Sequence, residues 1–319
     1  MRTRIFIAAL VALVLVPFAH ADGLPVSDAG APAIVGGDNG GVRYIALPTP
    51  HGTSVARFGG VVYASRALAG NYTVPVVALD HTSSGLSKDG STLVLITPRR
   101  SFPRARTTFA VLDAASLRLR ETVALDGDYS FDALSPDGTR MYLVHYQSRR
   151  DPTRYEVRAF DLANDRLLPD PVVDPTEVDE QMRGFPVTRT TSADGRFAYT
   201  LYDGGGKTPF VHALDTVNGE ARCIDLDMLA GRQDLYNLRL GLSVGGTRLA
   251  VLNGNREVTA VDTRTYLPAA NVVTGNDRAV NWPAILALSV LALLTLSVVL
   301  VGLRRRHRRR AYETSPKPS

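Results

Sequence analysis

Four arginines crowd one short stretch, "RRSFPRAR": Arg99, Arg100, Arg104 and Arg106. A guanidinium is a planar fork of N–H donors that matches carboxylate or phosphate oxygens two at a time, so this loop is an expected site for an anionic ligand. Two histidines, His145 and His212, lie in the second and third strands of successive units further along, an arrangement that lets them converge at the centre of a repeat array, and they complete the expected ligand-binding set. Histidines at 51, 81, 145 and 212 never fall two or four residues apart, so no local metal pair is expected. The single cysteine, Cys223, cannot form a disulfide within one chain or a Cys-rich metal centre. "YDGGGKTP" (202–209) ends like a phosphate loop, but Leu201 stands where the first glycine belongs, and the segment reads as a Gly-rich hairpin. Asp174, Glu177, Asp179 and Glu180 cluster in "VVDPTEVDEQMRGFP" (172–186) without the spacing or glycine of a calcium loop. The expected site is therefore ligand binding at the four arginines and two histidines, with no cofactor, no metal and no assigned catalytic residue.

Such residues need a scaffold, and the chain repeats one. "GLSKDGSTLVLIT" from Gly85, "ALSPDGTRMYLVHY" from Ala133, "TTSADGRFAYTLY" from Thr190 and "GLSVGGTRLAVLN" from Gly241 are near-copies, with their serines 48, 57 and 51 residues apart. Each is followed by an apolar run ending in aspartate: Asp113, Asp161, Asp215 and Asp262. Periods of this size in a chain of short strands indicate a propeller or similar array. The unit at 129–173 parses into strands 129–134, 140–146, 155–161 and 166–173, each bounded by Gly, Pro, Asp or Asn. The Asp-Gly pairs supply tight turns, and the repeated aspartates are assigned to turn hydrogen bonding rather than acid–base chemistry. An incomplete first unit has strands at 43–48, 53–58 and 61–68, with "PAIV" (32–35) as the candidate for its missing strand. The fold class is all-β: a single propeller of about five four-stranded blades over 41–274, with 22–40 supplying a ring-closing strand.

"LSPDGTRMYLVHY … VRAFDL", "TSADGRFAYTLYD … VHALDT" and "LSVGGTRLAVLNG … VTAVDT" resemble the YVTN and WD40-like β-propeller repeats. The resemblance covers about 41–274. Val244-Gly245 replaces the usual Pro-Asp in the last unit, and the Gly-His and Trp-Asp signatures of WD40 blades are absent. The resemblance implies the fold; propellers of this kind include binding scaffolds, lyases, lactonases and dehydrogenase subunits.

The two ends carry topology. Arg2 and Arg4 precede an apolar run and "AHA" (19–21), the pattern of a signal peptide over 1–21. A linker, 275–282, leads to the uncharged stretch 283–303, long enough to span a bilayer, and "RRRHRRR" opens a basic tail, 304–319, expected in the cytoplasm. The formal net charge of +5 comes from these ends and leaves the middle slightly acidic, which argues against nucleic acid as a partner. Heavy Arg and Ala usage fits a GC-rich bacterial genome. The expected protein is a single-pass membrane protein with an extracytoplasmic propeller that binds a protein or anionic ligand at the cell surface. Two alternatives are an enzyme of lyase or hydrolase type with its site at the propeller channel, and a structural envelope or membrane-complex subunit.

Overall fold

The computed structural model describes residues 34–36, 41–177 and 182–268. The expected signal peptide, most of the segment 22–40, Asp179 and Glu180, the linker, the membrane span and the tail lie outside the described residues. Among those described, no helix is long and apolar enough to cross a membrane. The described chain has strands and three short 3₁₀ turns, and its strands form five antiparallel sheets in sequence order.

The first sheet holds β1 (Ile34–Gly36), β2 (Arg43–Thr49), β3 (Gly52–Phe58) and β4 (Val62–Leu68). The second holds β5 (Thr92–Ile96), β6 (Arg106–Asp113) and β7 (Leu119–Asp126). The third holds β8 (Tyr129–Leu134), β9 (Arg140–Tyr146), β10 (Tyr155–Asp161) and β11 (Arg166–Val172). The fourth holds β12 (Pro186–Thr191), β13 (Phe197–Tyr202), β14 (Phe210–Asp215) and β15 (Glu220–Asp225). The fifth holds β16 (Leu238–Leu242), β17 (Arg248–Asn253) and β18 (Arg256–Asp262). Alternation along each strand sends apolar residues to both faces. In β14, Phe210 and Leu214 pack toward the third sheet, while Val211 and Ala213 pack toward the fifth. Buried clusters of this kind join sheets one and two, two and three, three and four, and four and five. Face-to-face packing of consecutive small sheets is β-propeller architecture.

The repeated motifs hold the turns. Ser135 Oγ donates to Asp137 Oδ1 at 2.6 Å and accepts from Arg140 N at 2.9 Å, closing the β8–β9 turn from inside. Ser87 with Asp89 and Ser192 with Asp194 do the same, at 2.6 and 2.5 Å. In the fifth sheet Ser243 still accepts from Arg248 N at 3.1 Å, but Gly245 removes the carboxylate. The aspartates after each third strand accept backbone N–H groups of the next turn: Ser116 on Asp113, Ala163 on Asp161, Val217 on Asp215 and Arg264 on Asp262.

Two sheets fall short of four full strands. The fifth adds only a bridge between Val261 and Pro268 at its outer side, where the described residues end. In the second, the inner strand is split. Thr73 bridges Ile96 and Leu86 bridges Leu93, and the chain between them makes an excursion whose own ends meet at Val76 and Ser83. That excursion reaches the first strands of three other sheets. Leu79 N and Asp80 N donate to Pro186 O and Val187 O of β12, at 2.8 and 3.2 Å. Ser83 Oγ donates to Ile34 O of β1 at 2.6 Å, and Asp80 pairs with Arg239 of β16 at 3.7 Å. Val77 packs into the cluster between sheets two and three. β1 itself forms the inner strand of the first sheet, pairing Ile34 with Ile45 and Val35 with Tyr44. Among the described residues, no buried cluster joins the fifth sheet to the first.

Candidate functional site

The arginine loop divides in two. Arg99 is buried and places its guanidinium on Asp128, with Nη2 2.8 Å and Nε 3.1 Å from Oδ1; it also donates to Ser130 Oγ at 2.9 Å and covers the Tyr146 ring at 5.0 Å. Arg104 adds Nε at 3.2 Å and its backbone N at 2.9 Å to the same carboxylate, and reaches the carbonyls of Thr97 and Tyr129. These two forks bind an internal carboxylate that starts the third sheet and thereby fix sheet two against sheet three. Arg100 and Arg106 are exposed.

The two histidines do not meet. His145, on β9, stacks on Tyr129 with ring centroids 4.4 Å apart and puts Nδ1 3.3 Å from Glu156 Oε1. Tyr129 belongs to the cluster between sheets two and three. His212, on β14, faces the other way across the next interface, toward sheet three. The two therefore do not converge at a propeller centre, because they face different sheet interfaces.

His212 sits instead in a row across the fourth sheet: Arg189 pairs with Thr200, Thr200 with His212 and His212 with Cys223. Residues directly opposite in antiparallel strands share a face, so all four look toward sheet three. At the inner end Arg189 donates Nε to Thr200 Oγ1 at 2.8 Å and grips Asp132 of β8 through both terminal nitrogens. At the outer end the sheets part. A cavity of about 350 Å³ opens there, lined by Tyr155, Val157 and Val172 of sheet three and Phe210, His212, Cys223 and Asp225 of sheet four. Met182, Lys207 and Thr208 come from two connections, Glu156, Asp174 and Arg183 add charged side chains, and Lys207 and Glu177 are exposed. The Gly-rich stretch is thus a short 3₁₀ turn, Gly204–Gly206, in which Asp203 Oδ1 accepts Gly205 N at 2.9 Å, and its Lys207 and Thr208 edge the cavity.

His212 is one of the residues that line the cavity, and its imidazole is unsatisfied. His212 is 1% exposed, and neither ring nitrogen has a hydrogen-bond partner. Burial disfavours the imidazolium and pushes its pKa down to about 4, although the Asp132 carboxylate pulls the other way. At neutral pH the ring is uncharged, one nitrogen a donor and the other an acceptor. Asp174, from the acidic connection, is turned away from ligand duty: it accepts Arg222 Nη1 at 2.6 Å, Cys223 N at 2.9 Å and Thr176 N at 2.8 Å. Sequence reasoning placed His212 but missed Cys223, Met182 and Tyr155. The hairpin register held part of the signal: once β14 and β15 close around the turn after Asp215, residue 212 must face residue 223.

No family model matches the chain. No curated protein matches it either. Several solved structures do. Kuenenia stuttgartiensis hydrazine synthase aligns at 15% identity over 76% of this chain and 58% of its own, with a TM-score of 0.42. The Myceliophteria thermophila Cps50 (Swd1) β-propeller domain aligns at 10% identity over 77% and 69%, with a TM-score of 0.44. TolB from Acinetobacter baumannii aligns at 13% identity over 75% and 55%, with a TM-score of 0.42. The chain therefore spans less than two thirds of hydrazine synthase and TolB, and none of these likenesses assigns it an activity.

Proposed function

We propose that this protein is an exported β-propeller of five blades, of the YVTN/WD40-like kind, held to the membrane by its C-terminal helix, and that it works as a binding module. The topology rests on the sequence of the ends: a cleavable apolar leader, a spanning stretch at 283–303 and an arginine block behind it. The repeated turn chemistry supports the repeat family. The binding site is the cleft between the third and fourth sheets. One observation carries this reading: the residues lining a cavity of ligand-binding size include a buried imidazole with both nitrogens unpaired. Elsewhere the sheets satisfy most buried polar side chains from within, so an unmet His212 marks where an outside partner completes the set. Arg100 and Arg106, exposed on the loop that leads into β6, remain the sequence-derived contacts for an acidic partner.

The test is ligand-observed NMR on the full chain in detergent, with a library of amines, carboxylates and sugars. Binding compounds should lose their signal changes when Thr208→Trp fills the cleft, and keep them when Arg100 and Arg106 are both changed to Gln. Compounds that bind equally well to the filled cleft would move the site elsewhere.

A further inference from the structure

We propose that the floor of this cleft binds a soft monovalent metal ion, copper(I) or its mimic silver(I), through Cys223, His212 and Met182. The inference rests on the reading of the cleft as the ligand site and adds the chemistry of what it takes. His212 and Cys223 are direct register partners on β14 and β15. That places their Cβ atoms about 4.5–5.5 Å apart on one face. Met182 comes from the connection between sheets three and four, and it and Cys223 pack on the same aromatic group, Tyr155, Tyr202 and Phe210. All three donors line the one cavity. The buried, unpartnered nitrogens of His212 supply the independent sign that something else belongs there.

The donor set chooses the ion. Thiolate and thioether sulfur favour copper(I), and neutral imidazole is compatible with it. Calcium takes six to eight oxygen ligands, and structural zinc takes four from Cys, His and carboxylate side chains. Among the described residues, no three His, Cys, Asp or Glu side chains converge on a point. The carboxylate nearest the backbone of Cys223, Asp174, is already held by Arg222 and Thr176. Binding would displace the Cys223 thiol proton to solvent and form Cu–S and Cu–N bonds without any change of oxidation state.

The experiment titrates the reduced full chain, in detergent, with copper(I) held by a chromophoric chelator, and reads the copper withdrawn. One ion per chain should transfer. Cys223→Ser and Met182→Leu should each weaken the transfer at least roughly tenfold. X-ray absorption on the wild-type complex, which needs no variant, should show sulfur and nitrogen together around the metal. No transfer, unchanged transfer in Cys223→Ser, or a shell without nitrogen would each overturn the assignment. A chain that takes no copper but still shows a cleft-dependent organic ligand refutes the metal alone. A chain with neither refutes the cleft reading as well.

Discussion

Changing Asp128 to Asn keeps the side chain's shape and removes the charge that Arg99 and Arg104 share. Asp128 is 2% exposed, and the two guanidinium groups on it are 5% and 9% exposed at their side chains. Water cannot replace the lost carboxylate, so two buried cations face an amide that offers one acceptor oxygen. Removing one partner of a buried pair costs about 3–5 kcal/mol, mainly the penalty of the charge left behind. The comparison is Asp113→Asn, whose partner Arg120 sits at 3.0 Å with side chains 42% and 34% exposed. The loss of that ion pair is worth about 1 kcal/mol or less. Urea unfolding of the full chain in detergent, followed by tyrosine fluorescence and far-UV circular dichroism, should show a much larger fall in midpoint for Asp128→Asn than for Asp113→Asn, with the slope unchanged. Added salt should leave the Asp128 effect in place, because buried charges are screened little. If Asp128→Asn costs no more than the surface variant, the arginine loop is not an internal clamp and its forks are open to a ligand after all.

Three further outcomes are expected. Acid should unfold the domain steeply below about pH 4: hydroxyl donors from Ser135 and Ser192 hold Asp137 and Asp194 below the usual carboxylate range, so their contribution is complete above the unfolded pKa near 3.9 and is lost as pH falls through the folded value. Ser135→Ala should flatten that acid limb in a pH series of unfolding curves, and an unchanged limb would disprove the assignment. Gly138→Ala should cost about 1–3 kcal/mol, since φ is +66° and a Cβ would lie 2.4 Å from Thr92 Oγ1; Gly246→Ala, at φ +69° with open space, should cost visibly less in the same melts. Finally, protease added outside intact cells should digest the propeller and spare a tag after Ser319, whereas loss of that tag would invert the proposed topology.

The parts of the fold legible in sequence are those held by local rules. In the unit at 129–173 the first three strands match their expected bounds and the fourth ends one residue early, because the turns between them are set by residues inside the turn itself, such as Ser135, Asp137 and Gly138. The excursion between Val74 and Gly85 was not legible: "PVVALDHTSS" has no period, and its partners lie in sheets one, four and five. The arginine loop showed its composition but not its burial, since nothing in "LDGDYS" marks Asp128 as an interior acid. The cleft draws on separate strands and two connections, so only the His212–Cys223 pairing could have been counted out beforehand, from the length of one hairpin.

The excursion between Val74 and Gly85 also constrains the order of assembly. Most of this chain is hairpins, whose contacts close within a few tens of residues and form quickly. The segment around Leu79 and Asp80 is different. It is made early in synthesis but cannot place its N–H groups until residues 186 and 187 exist and have joined the fourth sheet, nor its carboxylate until Arg239 follows. Until then the loop is held only by its own Val76–Ser83 bridge, by Ser83 on Ile34 and by Val77 in the core, and its outward N–H groups are open to pairing with the wrong chain. The slow step in making this protein should therefore be the arrival of its fourth sheet, and a chain halted before Pro186 should be the species most prone to aggregate.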